Sequence, residues 1–263
     1  MVQNTKTAKI LWSVTELLAL SAAIGGILLK GIYDNLFEAD YLPGALAQDI
    51  ITAMLSAALL LLIYNTKEND IKKQIIIIGV IGSQCYLYGI FTIERVYNVF
   101  YLVYLVIFAL SVWTIIYSLA GYRTKNFQHL HLNKKMLNTT AVSSIVIAVI
   151  FIFLWTASLL PLMQEHKRIE YLYSIYILDL GFIMPAFIIT AVMSLRRIPL
   201  GILMAPAMMI IGFFVIFPLG LNEIAKPAFG MQINYGSMVI SFIFSIFMLT
   251  LAALQLKLIK FER

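Results

Sequence analysis

Ile177-Leu178-Asp179-Leu180-Gly181-Phe182-Ile183 sets one carboxylate inside an apolar run that opens at Leu172 and closes at Leu195. A helix rises about 1.5 Å per residue, so about 20 apolar residues cross the hydrocarbon of a bilayer. The run over 172–195 is long enough to do so. Asp179 then sits about 10 Å along the helix, past the first turn, where the helix dipole would favour an acid. A charge at the bilayer centre costs about 2.5 kcal/mol or more. Asp179 therefore needs a partner or water, and it is a candidate for lining a cavity. Pro185 follows six residues later and predicts a kink beneath it.

A second stretch repeats the pattern. Gln48-Asp49-Ile50-Ile51-Thr52 heads the apolar run that ends near Tyr64. A basic residue falls eighteen positions after each acid: Lys67 after Asp49, and Arg197 after Asp179. This pairing predicts equivalent helices in two halves of one bundle. Asp49 lies only a few residues from its helix start, where free N–H groups and the dipole suit a carboxylate. It reads either as a helix-start acid or as part of a pocket.

Eight apolar stretches of spanning length follow one another, at about 10–31, 46–65, 74–93, 98–121, 140–162, 172–195, 201–221 and 235–257. Continuous apolar runs select helices, and lipid offers a bare peptide group no partner. The fold class predicted is all-α: a polytopic membrane helix bundle of eight transmembrane helices in a single domain over 1–263. A parallel 4+4 repeat would divide it at 1–122 and 139–263, related by an axis along the membrane normal. Tyr97-Asn98 opening the fourth run, Tyr235-Gly236 opening the eighth, and 201–224 as the counterpart of the third run fit that division.

Charge gives the orientation. Of the 19 Lys and Arg, fourteen fall in the gaps on one side: Lys6, Lys9, Lys67, Lys72, Lys73, Arg123, Lys125, Lys134, Lys135, Arg196, Arg197, Lys257, Lys260 and Arg263. Five fall on the other: Lys30, Arg95, Lys167, Arg168 and Lys226. The positive-inside rule makes the first side cytoplasmic, with both termini there, as expected of a multi-pass protein of the cell membrane. The basic gap over 123–138, which joins the two halves and carries His129 and His131, is predicted to rest on anionic lipid at that face.

The composition agrees. The chain is 62% hydrophobic and 12% charged, with mean hydropathy +0.92, against about 25% charged residues in soluble domains. The net charge of +6 then serves orientation and lipid contact rather than nucleic acid. Cys85 is the single cysteine, so an intrachain disulfide is excluded. His129, His131 and His166 all fall in predicted loops, which argues against haem or metal ligation in the membrane, and neither cofactor nor metal is expected. The segment Met1 to Lys9 resembles the basic end of a signal peptide, but the following run is long enough to be a retained first helix.

Other polar residues sit in or beside the spans. Glu16, early in the first helix, is expected to snorkel or to pair with Lys9. Gln84, beside Gly79, Gly82 and Ser83, is expected to make an interhelical hydrogen bond. Pro206, Gly212 and Pro218 mark the seventh run as a candidate broken helix. Tyrosines near the outer ends read as an interfacial belt. They read alternatively as the walls of an outward-facing pocket holding Asp49, Glu94, Asn98, Asp179 and Asn222, walled by Tyr88, Tyr97, Tyr101 and Tyr176. Such a pocket is acidic and aromatic and suits a small cation or a proton.

Gln48-Asp49, Tyr86-x-Tyr88, Tyr97-Asn98-x-x-Tyr101-x-x-Tyr104 and Leu178-Asp179-x-x-Phe182-x-x-Pro185 together resemble a set of bacterial polytopic membrane proteins without an established activity. Ser56-Ala57-Ala58 stands where that set carries Gly-x-Pro in its second helix. The resemblance implies a membrane bundle and brings no catalytic residue. The sequence itself carries no G-x-S-x-G, no H-E-x-x-H and no phosphate-binding glycine loop, so an enzyme is disfavoured. Two functional readings remain: a transporter-like or solute-binding protein using the pocket, and a membrane sensor, regulator or interaction partner that moves nothing.

Overall fold

A computed structural model describes residues 4–123, 127, 130–169 and 172–261. The expectations attached to Lys125, His129 and Arg263 lie outside the described residues. Among the described residues, eight helices are long and apolar enough to cross a bilayer, as expected of a multi-pass membrane protein. They are α1 (Thr5–Leu28), α2 (Leu42–Tyr64, led by a 3₁₀ turn Ala39–Tyr41), α3 (Ile71–Ile93), α4 (Tyr101–Ala120) and α5 (Lys134–Gln164), followed by three more spans. The sixth span is α6 (Tyr173–Leu178), a π turn Asp179–Ile183 and α7 (Met184–Leu195). The seventh is α8 (Pro199–Ala225) with a 3₁₀ turn Lys226–Phe229, and the eighth is α9 (Tyr235–Leu258).

Asparagine starts three of these helices. The Asn4 side chain accepts from the backbone N–H of Lys6 and Thr7, Asn133 from Lys135, and Asn234 from Ser237. These caps explain why α1 and α5 begin five or six residues before the apolar runs do. A capped helix tolerates Lys6, Lys134 and Lys135 in its first turn, because their long stems reach the interface. At 31 residues, α5 measures about 46 Å and overshoots the hydrocarbon by roughly three turns.

The kink expected at Pro185 takes the form of a π turn. Proline cannot donate to the carbonyl four residues back, and its ring clashes with it. The helix relieves this by widening just upstream, where Met184 N–H bonds Asp179 O. Pro206 and Pro218 are absorbed within α8, which runs unbroken. The break expected there is therefore not formed, and the irregular backbone falls on the sixth span instead.

α3 and α8 form the centre. Within their apolar windows 78% and 72% of residues are buried, against 39% or less in the other six spans. Every residue from Gly201 to Gly212 is buried, as befits a helix apolar on all sides and packed on all sides. Glycines let α3 approach: a Cβ on Gly82 would lie 2.5 Å from Ile211 Cδ1, and one on Gly79 would lie 2.9 Å from Ile210 Cβ. Around this pair, α1 packs on α2 and α4, α4 on α3, α9 on α8, and α5 on α7. The outer surface is apolar, with Met54, Leu61, Leu102, Phe153 and Ile243 exposed to where lipid tails would lie.

The start of α1 and the end of α9 lie at one end of the bundle, called the termini end below. Leu130–His131 (β1) pairs antiparallel with Lys260–Phe261 (β2), joining the α4–α5 connection to the C-terminal segment. The Lys9 ammonium donates to Tyr64 O, which ties the start of α1 to the α2–α3 turn. In that turn Asp70 accepts from Lys67 N–H and pairs with Lys73, and these contacts hold its carboxyl below the usual carboxylate range.

Candidate functional site

Asp179 opens the π turn of the sixth span, at the depth where Pro185 has widened the helix. Its side chain is buried, and its Oδ2 accepts a 2.7 Å bond from the Trp155 indole N–H on α5. Tyr86 faces the carboxylate from α3. Oδ1 has no hydrogen-bond partner among the described residues.

The carboxylate lies in the wall of a cavity of about 510 Å³ enclosed by α2, α3, α5, the sixth span and α8. Asp40, Tyr41, Gln48, Ser83, Tyr86, Trp155, Asn222 and Ser237 add polar groups to walls otherwise built largely from Phe91, Phe151, Phe187, Phe214 and aliphatic side chains. The Asn222 carbonyl oxygen is buried and unpartnered among the described residues. At the end of the bundle opposite the termini, Glu223 and Lys226 line the cavity as an ion pair of 2.7 Å, and Glu223 also accepts from Asn234 N–H. The lining is aromatic and mostly apolar, with a few convergent polar atoms and, on Asp179, a buried acid oxygen without a partner among the described residues. Those are the ordinary features of a small-molecule site.

Of the nine residues expected in the pocket, Asp179 and Asn222 line this cavity, and the other seven lie elsewhere. Asp49 is buried against α1. Tyr33 O–H donates to its Oδ2 at 2.7 Å, and a Cβ on Gly26 would lie 2.0 Å from the same oxygen. Burial, and next the Asp49 carboxylate, push the Tyr33 phenol above its usual range, so Tyr33 stays an O–H donor. Tyr88 donates to Ala19 O and packs with Tyr33, Phe37, Phe91 and Tyr104 in an aromatic cluster.

Glu94 accepts from Ser174 N–H at 2.8 Å, so it caps the start of α6; Tyr173 O–H bonds Ile93 O, and Arg95 lies 5.8 Å from the Tyr173 ring centre. Asn98 accepts from Phe100 N–H and donates to Tyr104, while Tyr97 and Tyr101 stack edge to face. Tyr176 stacks on Trp155 but lines a separate, open groove beside α5 with Leu159, His166 and Lys167.

Three contributors escape a reading along the chain. Trp155 and Tyr33 are the donors to the two acids, and each comes from a different element than its acceptor. Gln48 was visible only as the neighbour of Asp49. Helix rotation, which a one-dimensional pattern does not carry, decides Trp155 and Gln48, and the turn after α1 decides Tyr33. Compared with known proteins, the chain matches no family model, no curated protein and no solved structure, so the resemblance stated above adds neither fold nor activity.

Proposed function

We propose that this chain is a solute-binding, transporter-like membrane protein whose cavity takes a small organic cation against Asp179. The observation that carries this reading is the unpartnered, buried Oδ1 of Asp179 in the cavity wall. An acid held there by Trp155 has one oxygen left for a ligand, and the rings of Phe91, Phe151 and Trp155 suit the face of a cation. A cavity of about 510 Å³ is large enough for such an ion with some water. Lys226 is spent on Glu223, which leaves the carboxylate's charge uncompensated deeper in.

The same reading includes a parallel repeat, and the helix neighbours support it. Advancing every span by four maps α1 on α2 to α5 on α7, α3 on α4 to α8 on α9, α2 on α8 to α3 on α6, and α3 on α8 to itself; all are contacts of the bundle. Asp49 and Asp179 then become counterparts, each accepting a 2.7 Å bond on Oδ2 from an aromatic donor. The first-half site is filled by its aromatic cluster, and the second-half site is open. The excess of Lys and Arg at the termini end supports a cytoplasmic face there, resting on anionic lipid, with the cavity mouth outside.

The test is a titration of the protein in nanodiscs with tetraethylammonium, read by tryptophan fluorescence. Trp12, Trp113 and Trp155 are the tryptophans, and only Trp155 lines the cavity. A saturable change that disappears in Trp155→Phe, with none for a neutral analogue of the same size, is the expected result. A flat titration, or an equal response to the neutral analogue, removes the proposal. Uptake into vesicles then separates a transporter from a sensor, which would bind without flux.

A further inference from the structure

A second intramembrane acid lies outside the cavity. Glu16 is fully buried on α1, and neither carboxyl oxygen has a hydrogen-bond partner among the described residues. The expected pairing with Lys9 is not made, because the Lys9 ammonium is turned to Tyr64 O at the termini end. The other basic residues of α1 to α4, namely Lys6, Lys72 and Lys73, also sit in the first turns of α1 and α3 at that end. Tyr88 on α3 lies within electrostatic reach of Glu16, and also of Asp49 on α2 and Tyr104 on α4. None of them is positive. The polar side chains facing Glu16 directly are Ser56 and Gln84.

The hydroxyls on this face of α2 differ from several others in the bundle. Buried Thr15, Ser83, Ser118, Thr140 and Ser144 each give their hydrogen to the carbonyl four residues back. Thr52 and Ser56 do not. Each accepts from a glutamine amide at 3.3 Å, Thr52 from Gln48 and Ser56 from Gln84, and so keeps its own hydrogen for another acceptor. Asp49, Thr52 and Ser56 follow at spacings of three and four, which puts them on one stripe of the helix. All three are buried. Gln48, at the head of the stripe, also lines the cavity.

We infer that Glu16 is a proton-binding site in the membrane interior, distinct from the Asp179 site and reached from the cavity wall along Gln48, Thr52 and Ser56. A buried carboxylate faced by Ser56 and Gln84, with none of the described Lys or Arg side chains of α1 to α4 beside it, is costly. A proton removes that charge and turns one oxygen into a donor. The proton comes from water and returns to it; nothing is oxidised. Neighbours on one helix face stand about 5–6 Å apart, so each step needs a bridging water between hydroxyls.

Infrared spectroscopy of the chain in lipid tests this without any transport assay. A protonated-carboxyl C=O band is expected that shifts down in D₂O, is lost in Glu16→Gln, moves rather than vanishes in Glu16→Asp, and survives Asp179→Asn. Survival of the band in Glu16→Gln, its absence from the unsubstituted chain, or its loss when sodium replaces choline would overturn the site. In Thr52→Val the hydrogen-to-deuterium shift of this band should be slower; an unchanged rate overturns the route. Because Asp179→Asn leaves the band in place, failure here and failure of the cavity reading remain distinguishable.

Discussion

Asp179→Asn should weaken tetraethylammonium binding by about 30-fold or more while leaving the bundle folded. Truncating one partner of a buried charge pair costs about 2–5 kcal/mol, and each 1.4 kcal/mol is tenfold in affinity. Asparagine keeps the shape of the side chain and an oxygen for the Trp155 indole, so the α5 contact has no reason to open. What it removes is the negative charge that the cavity otherwise leaves unpaired. The comparison is made by the same fluorescence titration, with thermal unfolding as the control. Equal affinity in the variant would mean that the aromatic walls alone hold the ligand.

Gly82→Leu should have the largest effect on stability. The Cβ alone would meet Ile211 Cδ1 at 2.5 Å, and the rest of the leucine would enter the seam between the two most buried spans. Neighbours at Gly79 leave no slack, since a Cβ there meets both the Ile210 side chain and the Ala207 carbonyl. Overpacking a closed core costs about 1–3 kcal/mol, and more where backbone must move. α3 and α8 also join the proposed halves, so their separation should open the cavity walls on both sides. Loss of monodispersity in detergent and a lowered unfolding temperature are the expected readouts. A variant as stable as the parent would show that α3 and α8 slide past each other freely.

The eight spans could be read from the chain because each is a continuous apolar run between polar gaps, and membrane crossing demands just that. Their ends could not, since Asn4 and Asn133 cap helices outside the runs and Lys134 and Lys135 are carried inside. The place of Asp179 along its span was readable by counting residues; that of Asp49 was not, because α2 begins at Leu42 and carries it about two turns in. Direction was not readable for either. In water an apolar stripe marks the inner face of a helix. In lipid the outer face is apolar as well, so Met54 and Leu61 look no different in sequence from buried Leu59 and Ile63. The chain therefore could not tell that Asp49 turns to Tyr33 and Gly26 while Asp179 turns to Trp155 and a cavity. For the same reason Glu16 read as an interfacial acid, although its side chain is enclosed.

Thiol labelling addresses the cavity most directly. In a Cys85→Ala chain carrying Gln48→Cys, the new thiol lies in the cavity wall. A membrane-impermeant thiol reagent applied to the face opposite the termini should modify it, and tetraethylammonium should slow that reaction in a chain that retains Asp179. Labelling that proceeds only from the face bearing the termini, or that is indifferent to the cation, would contradict a water-filled, cation-binding cavity at this end of the bundle.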